Sequence, residues 1–290
     1  LLARPFVGVV TNVEVDHVDF YPGGSPEIEA AFATFLTRCE HVVLCGDDQG
    51  ARAALALSGV EALTYGVGPG NDLQVSVEAL GPEGARGSVS LRGGPSIPLN
   101  LQIDGPHNLL NAAAAIGAAS LVGVDPHHAA EAVGTFAGVH RRFEFRGSAR
   151  GADFYDDYGH VPTEMAVTLQ TARRRAPGRL IALVQPHRYT RVQALWRELG
   201  ASLTEADLVV VTDVYGAAQD PIPGVTGQLV ADGVRLADPT TPVVYLPHRQ
   251  AVIDYLDHDV RAGDLIVTMG CGDVWMLGDA TLERIREGEG

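Results

Sequence analysis

Asp156-Asp157-Tyr158-Gly159-His160-Val161-Pro162-Thr163-Glu164 (DDYGHVPTE) and Gln185-Pro186-His187-Arg188-Tyr189-Thr190-Arg191 (QPHRYTR) decide the fold of this chain. In the first, an apolar run breaks into acids, a glycine and a histidine before a helical pattern begins. The second follows Leu180–Val184, an uninterrupted apolar run that predicts a buried parallel strand. Both clusters are expected as loops at strand ends. In open α/β sheets the carboxyl ends of the strands are where ligands bind, so the two point to one crevice.

Outward from that stretch, strand-like runs alternate with helical patterns to the end of the chain. Helices are expected over residues 163–175, 192–203, 225–236 and 249–258, with strands at 154–155, 208–212, 243–246 and 265–268. Gly270-Cys271-Gly272-Asp273 then precedes a last helix. This describes a doubly wound, Rossmann-like domain. Its glycine loop lacks GxGxxG, which argues against an NAD-dependent dehydrogenase. Arg173, Arg174 and Arg175 read as a solvated helix end favoured by the helix dipole.

Upstream, residues 6–10 read as a buried strand running into TNVEVDHVD at 11–19, also expected as strand with alternating polar groups. An Asp/His loop at its end is able to hold a divalent cation, with His17 the most specific candidate, or is simply polar. Helices at 26–38 and 51–57 flank a strand at 42–45. Residues 59–104 change to short β segments with Gly/Pro turns and predict a peripheral hairpin and strand pair. DGPHNLLN at 104–111 leads into an alanine-rich helix, with His107, Asn108 and Asn111 at its first turn. Asparagine caps helices, and side-chain amides there also suit the edge of a base; both readings stand. A second helix over 126–135 is followed by GVHRRFE at 138–144. Arg141 and Arg142, more often a solvated pair than a site, fall where one pattern stops and the next begins; this places a boundary near residue 140, where a phosphate clamp is the functional reading.

The totals narrow the partners. The 290 residues suit two domains, and the net charge of −15 argues against nucleic acid or an anionic membrane as main partner. No apolar run approaches the ~20 residues of a membrane span, so no membrane insertion is expected. With no export signal visible, a cytoplasmic location is the expectation. All 21 basic residues are arginine. A lysine Schiff base or a phosphate-loop lysine therefore has no candidate here. Cys39, Cys45 and Cys271 lack CxxC spacing and read as free thiols.

Together TNVEVDHVD, DGPHNLLNA, GVHRRFE, DDYGHVPTE, QPHRYTR and DVYGA resemble the Mur ligases of peptidoglycan synthesis, over nearly the whole chain. QPHRYTR is the most specific element. It points to the branch that adds alanine to the muramyl carboxylate, and away from folylpolyglutamate synthase, the ligases adding later amino acids and the murein-peptide recycling ligase. The resemblance implies residues 1–139 as the C-terminal part of a central ATP-binding domain and 140–290 as the Rossmann-like C-terminal domain. It implies ATP and Mg2+ as cofactors, and UDP-N-acetylmuramate and L-alanine as substrates joined through an acyl phosphate. His17 would be a magnesium ligand; His107, Asn108 and Asn111 would meet adenine, Arg141 the phosphates and Asp157 the ribose. Tyr158, His160, His187, Arg188 and Arg191 would orient alanine and the acyl phosphate.

Three positions depart from the family's pattern. Val161 stands where a second histidine is usual, Cys271 where a small residue is expected, and Gln219 near an expected acid. The family's UDP-binding domain, GxHGKT loop and acidic second magnesium ligand have no counterpart in these residues. The expectation is therefore a truncated ligase or fragment, inactive by itself. The alternative is a degenerate paralogue that binds nucleotide, a muramyl ligand or a partner protein without turnover.

Overall fold

The computed structural model describes residues 3–289, and the chain parts into two compact units, Leu1–Gly138 and Val139–Gly290. The first unit begins with β1 (Val7–Val10), α1 (Ser25–Leu36), β2 (His41–Cys45), α2 (Gln49–Ser58) and β3 (Leu63–Gly66). It continues with β4 (Leu73–Gly81), β5 (Gly84–Leu91), β6 (Ser96–Leu101), α3 (Pro106–Leu121) and α4 (Pro126–Gly134). These strands form one six-stranded sheet in the order β1-β2-β3-β4-β5-β6. It is parallel from β1 to β4 and antiparallel from β4 to β6. The residues expected as a peripheral hairpin thus extend the main sheet. Leu73, Val75, Ala85, Val89, Leu99 and Leu101 are buried against α3 and α4, and that apolar face draws the segment in. The opposite face of the sheet packs against α1 and α2 through Ile28, Leu36, Leu44, Ala51 and Ala54.

One expectation fails at the start. The strand ends at Val10, and residues 11–19 are not strand despite their alternating polarity. The Asp48 carboxylate explains the departure, because one oxygen accepts from the N–H of Ala51 at 2.7 Å and of Val13 at 3.0 Å. Asp48 caps α2 and at the same time pulls the segment across that helix's first turn. His17, at φ +49°, then starts a turn whose carbonyl accepts from the N–H groups of Phe20 and Tyr21.

The second unit runs β7 (Glu144–Ala149), β8 (Ala152–Asp157), α5 (Pro162–Arg175), β9 (Leu180–Val184), α6 (Tyr189–Ala201) and β10 (Leu208–Val211). After these come α7 (Gly227–Ala237), β11 (Val243–Tyr245), α8 (Arg249–Asp259), β12 (Leu265–Met269) and α9 (Trp275–Glu289). The sheet order is β11-β10-β9-β12-β8-β7, parallel except for the edge strand β7. One face carries α5, α6 and α7, the other α8 and α9, so the central strands are buried on both sides. That is why they read as unbroken apolar runs.

Two features of this unit position the site. The last strand in sequence, β12, is inserted between β8 and β9, so the carboxyl ends of β8, β12, β9 and β10 lie side by side. Pairing with β12, Thr268 to Asp156 and Met269 to Asp157, also extends β8 further than expected. Asp156 and Asp157 are therefore the last two strand residues, and the loop begins at Tyr158.

Candidate functional site

In the first unit, the chain enters α3 through Gly105, whose φ of +114° lies in the left-handed half of backbone space. The His107 ring folds back over this glycine, at 2.8 Å from its Nδ1 to where a Cβ would stand. Pro106 occupies the first helical turn, and no side chain caps the helix. The Asn108 amide instead donates to the Asp104 carbonyl at 2.8 Å, steadying the turn and leaving its oxygen for other partners.

Asn108, Asn111, Ala112 and Ala115 share one face of α3 and, with Leu101, Ile103, Ala132, Val133 and Phe136, line a cavity of about 450 Å³. The alanines make this space: methyl side chains at 112, 115 and 132 stop short of filling the angle between α3, α4 and the end of β6. The result is an apolar slot with two amides at its edge, of a size for a planar heteroaromatic ring. Asn108 and Asn111 are brought together there, while Leu101, Ile103 and Phe136 are walls that carry no sequence signal.

His17 stands apart. It is exposed, with Nε2 3.6 Å from the Asp16 carboxylate. Among the described residues no three or more His, Cys, Asp or Glu side chains converge as a metal site. His17 and Asp16 do not by themselves make a magnesium site.

In the second unit, four rings form a row across the strand ends. Tyr158 meets His160 edge-on at 5.6 Å between centroids, His160 meets His187 at 5.9 Å, and His187 stacks on Tyr215 at 5.6 Å and 10°. The first ring carries the guanidiniums of Arg141 and Arg142 over its face, at 5.0 and 5.4 Å. His160 is held through Nδ1, 3.0 Å from the Tyr158 carbonyl and 3.4 Å from Glu164.

The arginines do more structural work than their sequence position suggests. Arg141 donates from Nε to Asp156 at 2.8 Å, from Nη2 to the Gly270 carbonyl at 2.7 Å and from Nη1 to the Gly272 carbonyl at 3.2 Å. Two of its five N–H groups remain for a ligand. Arg191, buried at 3 % exposure, donates to the His187 carbonyl at 3.1 Å and faces His187 Nδ1 at 3.2 Å. Arg188 precedes α6 with φ +65°, and its N–H donates to the Tyr215 carbonyl at 2.9 Å.

Asp157 faces inward. One oxygen accepts from the Gly159 N–H at 2.7 Å and the other from the Phe143 N–H at 2.8 Å. Burial holds its carboxyl above the ordinary carboxylate range, and those two hydrogen bonds only partly offset this. Its place is to brace the loop beneath Tyr158. Asp156, also buried, accepts from the Thr268 hydroxyl at 2.6 Å and from Arg141.

The glycine loop after β12 is tied to β9 by Gln185. Its amide donates to Asp273 at 2.8 Å and accepts from the Asp273 N–H at 3.1 Å. Arg249 takes the other oxygen of Asp273 at 2.8 Å. Cys271 lies in this loop, its thiol pushed up to about 11 by burial, with Arg191 opposing. Gln219 binds the Thr190 hydroxyl at 3.0 Å, a neutral pair where an acid was expected. Val161 is buried and leads into α5, so no second ring joins the row at that position.

Known proteins match both units. The profile of the Mur ligase middle domain matches residues 1–119, and that of the Mur ligase glutamate ligase domain matches 141–272. A UDP-N-acetylmuramate–L-alanine ligase from Nitratidesulfovibrio vulgaris is 42 % identical over 278 residues, 94 % of this chain and 61 % of that protein. One from Kineococcus radiotolerans is 43 % identical over 290 residues, 98 % of this chain and 60 % of that protein. The chain thus spans about three-fifths of the length of these relatives. Among solved structures, the UDP-N-acetylmuramate-alanine ligase of Thermotoga maritima superposes with a TM-score of 0.77 at 24 % identity, over 98 % of this chain and 60 % of that one. At that identity the likeness establishes the fold.

Proposed function

The chain belongs to the Mur ligase family, and we propose that it is part of a UDP-N-acetylmuramate:L-alanine ligase, an ATP-driven amide-forming enzyme of peptidoglycan precursor synthesis. The observation that carries this reading is the pairing of a base-sized slot in one unit with a ring-and-arginine cluster at strand ends in the other. Each has the chemistry one half of the reaction needs.

The slot against α3 would take adenine. Its aliphatic walls cover the ring faces, Asn108 and Asn111 offer an acceptor and donors to the base edge, and Phe136 is exposed enough to lie against a ring. Bound ATP would supply the phosphoryl group that turns the muramyl carboxylate into an acyl phosphate, which the amine of alanine can attack. In the second unit Arg188 and Arg191 would meet the carboxylate of alanine, and Tyr158, His160 and His187 would orient its amine. The buried position of Arg191 makes it a support for His187 as much as a contact. Arg141 would reach a phosphate with its two remaining N–H groups while holding the glycine loop. His17 would be one ligand among several for magnesium, the others coming from outside the residues that surround it.

The test is phosphate release from ATP by a form extended to the relatives' full length. Release that requires both UDP-N-acetylmuramate and L-alanine is expected, and its absence would overturn the assignment. A second reading is that the chain binds nucleotide without turnover. ATP binding without phosphate release in the extended form would select it.

A further inference from the structure

The fourth ring of the row, Tyr215, belongs to the DVYGA motif, which has no assigned role. Its backbone is locked to the loop that carries His187. The Tyr215 N–H donates to the Pro186 carbonyl at 2.8 Å, and its carbonyl accepts from the Arg188 N–H at 2.9 Å. These two bonds make a one-residue parallel bridge between His187 and Tyr215 beyond the ends of β9 and β10. The ring then lies parallel to the imidazole and also close to Gly272, where a Cβ would stand 2.8 Å from the ring. Only a residue without a side chain at 272 lets the ring reach this place.

The imidazole is also constrained at its edge. A guanidinium has donors only, so Arg191 Nη1 facing His187 Nδ1 at 3.2 Å makes Nδ1 the acceptor. A hydrogen bond there requires the neutral ring to carry its proton on Nε2. A ring flip would turn a C–H to the guanidinium, and the parallel stack on Tyr215 opposes rotation about the other axis.

We propose that Tyr215 is a positioning residue: with Arg191 it holds His187 as the Nε2–H tautomer in a single orientation toward the amino-acid substrate. The substrate part of this statement rests on the proposed alanine ligase reading; the tautomer and orientation do not. The phenolic hydroxyl is not used by the stack, so phenylalanine should replace tyrosine and an aliphatic side chain should not.

The test separates the two layers. In the 290-residue chain with labelled histidine, the ring resonances of His187, identified by their loss in His187→Gln, should show one Nε2–H tautomer with a ring-current shift. Tyr215→Phe should keep both features. Tyr215→Leu should abolish the shift and mix the tautomers. Tyr215 is 39 % exposed, so its loss opens no core, and Tyr215→Trp, expected to enlarge the shift, serves if the leucine variant does not fold. In the extended ligase, Tyr215→Leu should raise KM for L-alanine about tenfold with KM for ATP within about twofold, and Tyr215→Phe should restore it. An unchanged His187 spectrum in Tyr215→Leu, or phenylalanine behaving as leucine does, would overturn the proposal. An extended form with no ligase activity but the expected spectra would instead remove the ligase reading and leave the positioning intact.

Discussion

The slot against α3 and the loops at the ends of β8, β9 and β12 hold their polar groups in opposite ways. The slot is made by what side chains leave out: alanines at 112, 115 and 132 open a cavity, and two asparagines stand at its edge. The loop cluster is made by cross-links. Arg141 reaches across to Asp156, Gly270 and Gly272, Gln185 clasps Asp273, and Arg191 backs His187. A cavity lined by small apolar groups is destroyed by adding volume and tolerates lost polar bonds. A cross-linked loop is destroyed by removing a bond, because the partner left behind is buried and unpaired.

Ala115→Phe should break this comparison most forcefully. The position lines the slot yet is solvent-exposed, so the ring should fill the cavity without stressing the core. Adenine-nucleotide binding, followed by calorimetry, should weaken on the order of 100-fold, about 2.7 kcal/mol, with little change in Tm. A variant that still binds would place the nucleotide elsewhere.

Arg188→Ala comes next. In the extended ligase KM for L-alanine should rise at least tenfold while ATP binding stays within about twofold; equal loss of both would show that the arginine serves the nucleotide instead.

Asp157→Asn tests the cross-linked side. The amide has one acceptor oxygen where the carboxylate has two, so either the Gly159 or the Phe143 N–H loses its partner. A cost of about 1–3 kcal/mol in denaturant unfolding is expected. The pH dependence has a definite sign. Burial raises the folded pKa of Asp157, so its contribution to stability is present below the unfolded value and is lost as pH rises through the folded one. The stability gap between wild type and Asp157→Asn should narrow over that rise; a gap that widens would contradict the burial argument.

Cys271 gives the smallest effect on the fold. With its thiol pushed up to about 11, alkylation by iodoacetamide should be slow at neutral pH and climb roughly tenfold per pH unit toward pH 9. Rapid labelling at pH 7 would mean that the glycine loop opens.

The Rossmann-like unit was the more legible. Its central strands are buried on both faces, so each reads as a closed apolar run, and the helical periods between them mark a doubly wound unit without fixing its strand order. Asn108, Asn111, His160 and His187 were visible as candidates because polar residues cluster at strand and helix ends. Residues 11–19 misled because alternation alone resembles a strand, whereas Asp48, thirty-five residues beyond Val13, supplies the competing partner. Phe136, Ile103 and Tyr215 carried no assigned function, since a wall or a stacking ring is an ordinary apolar residue until the fold brings it to the site.

What the sequence alone determined is the set of chemical groups and their local frames: the apolar runs, the glycines, the asparagine pair and the DDYGHVPTE and QPHRYTR loops. Only the tertiary structure decided which of these groups are consumed in holding others. Asp157, Arg141 and Arg191 read as contacts in sequence, yet Asp157 is bonded inward, three of the five N–H groups of Arg141 are spent on its neighbours, and Arg191 backs His187. The insertion of β12 between β8 and β9 is the physical reason. It carries the carbonyls of Gly270 and Gly272 to the Arg141 guanidinium from about 130 residues away, a distance no local pattern spans.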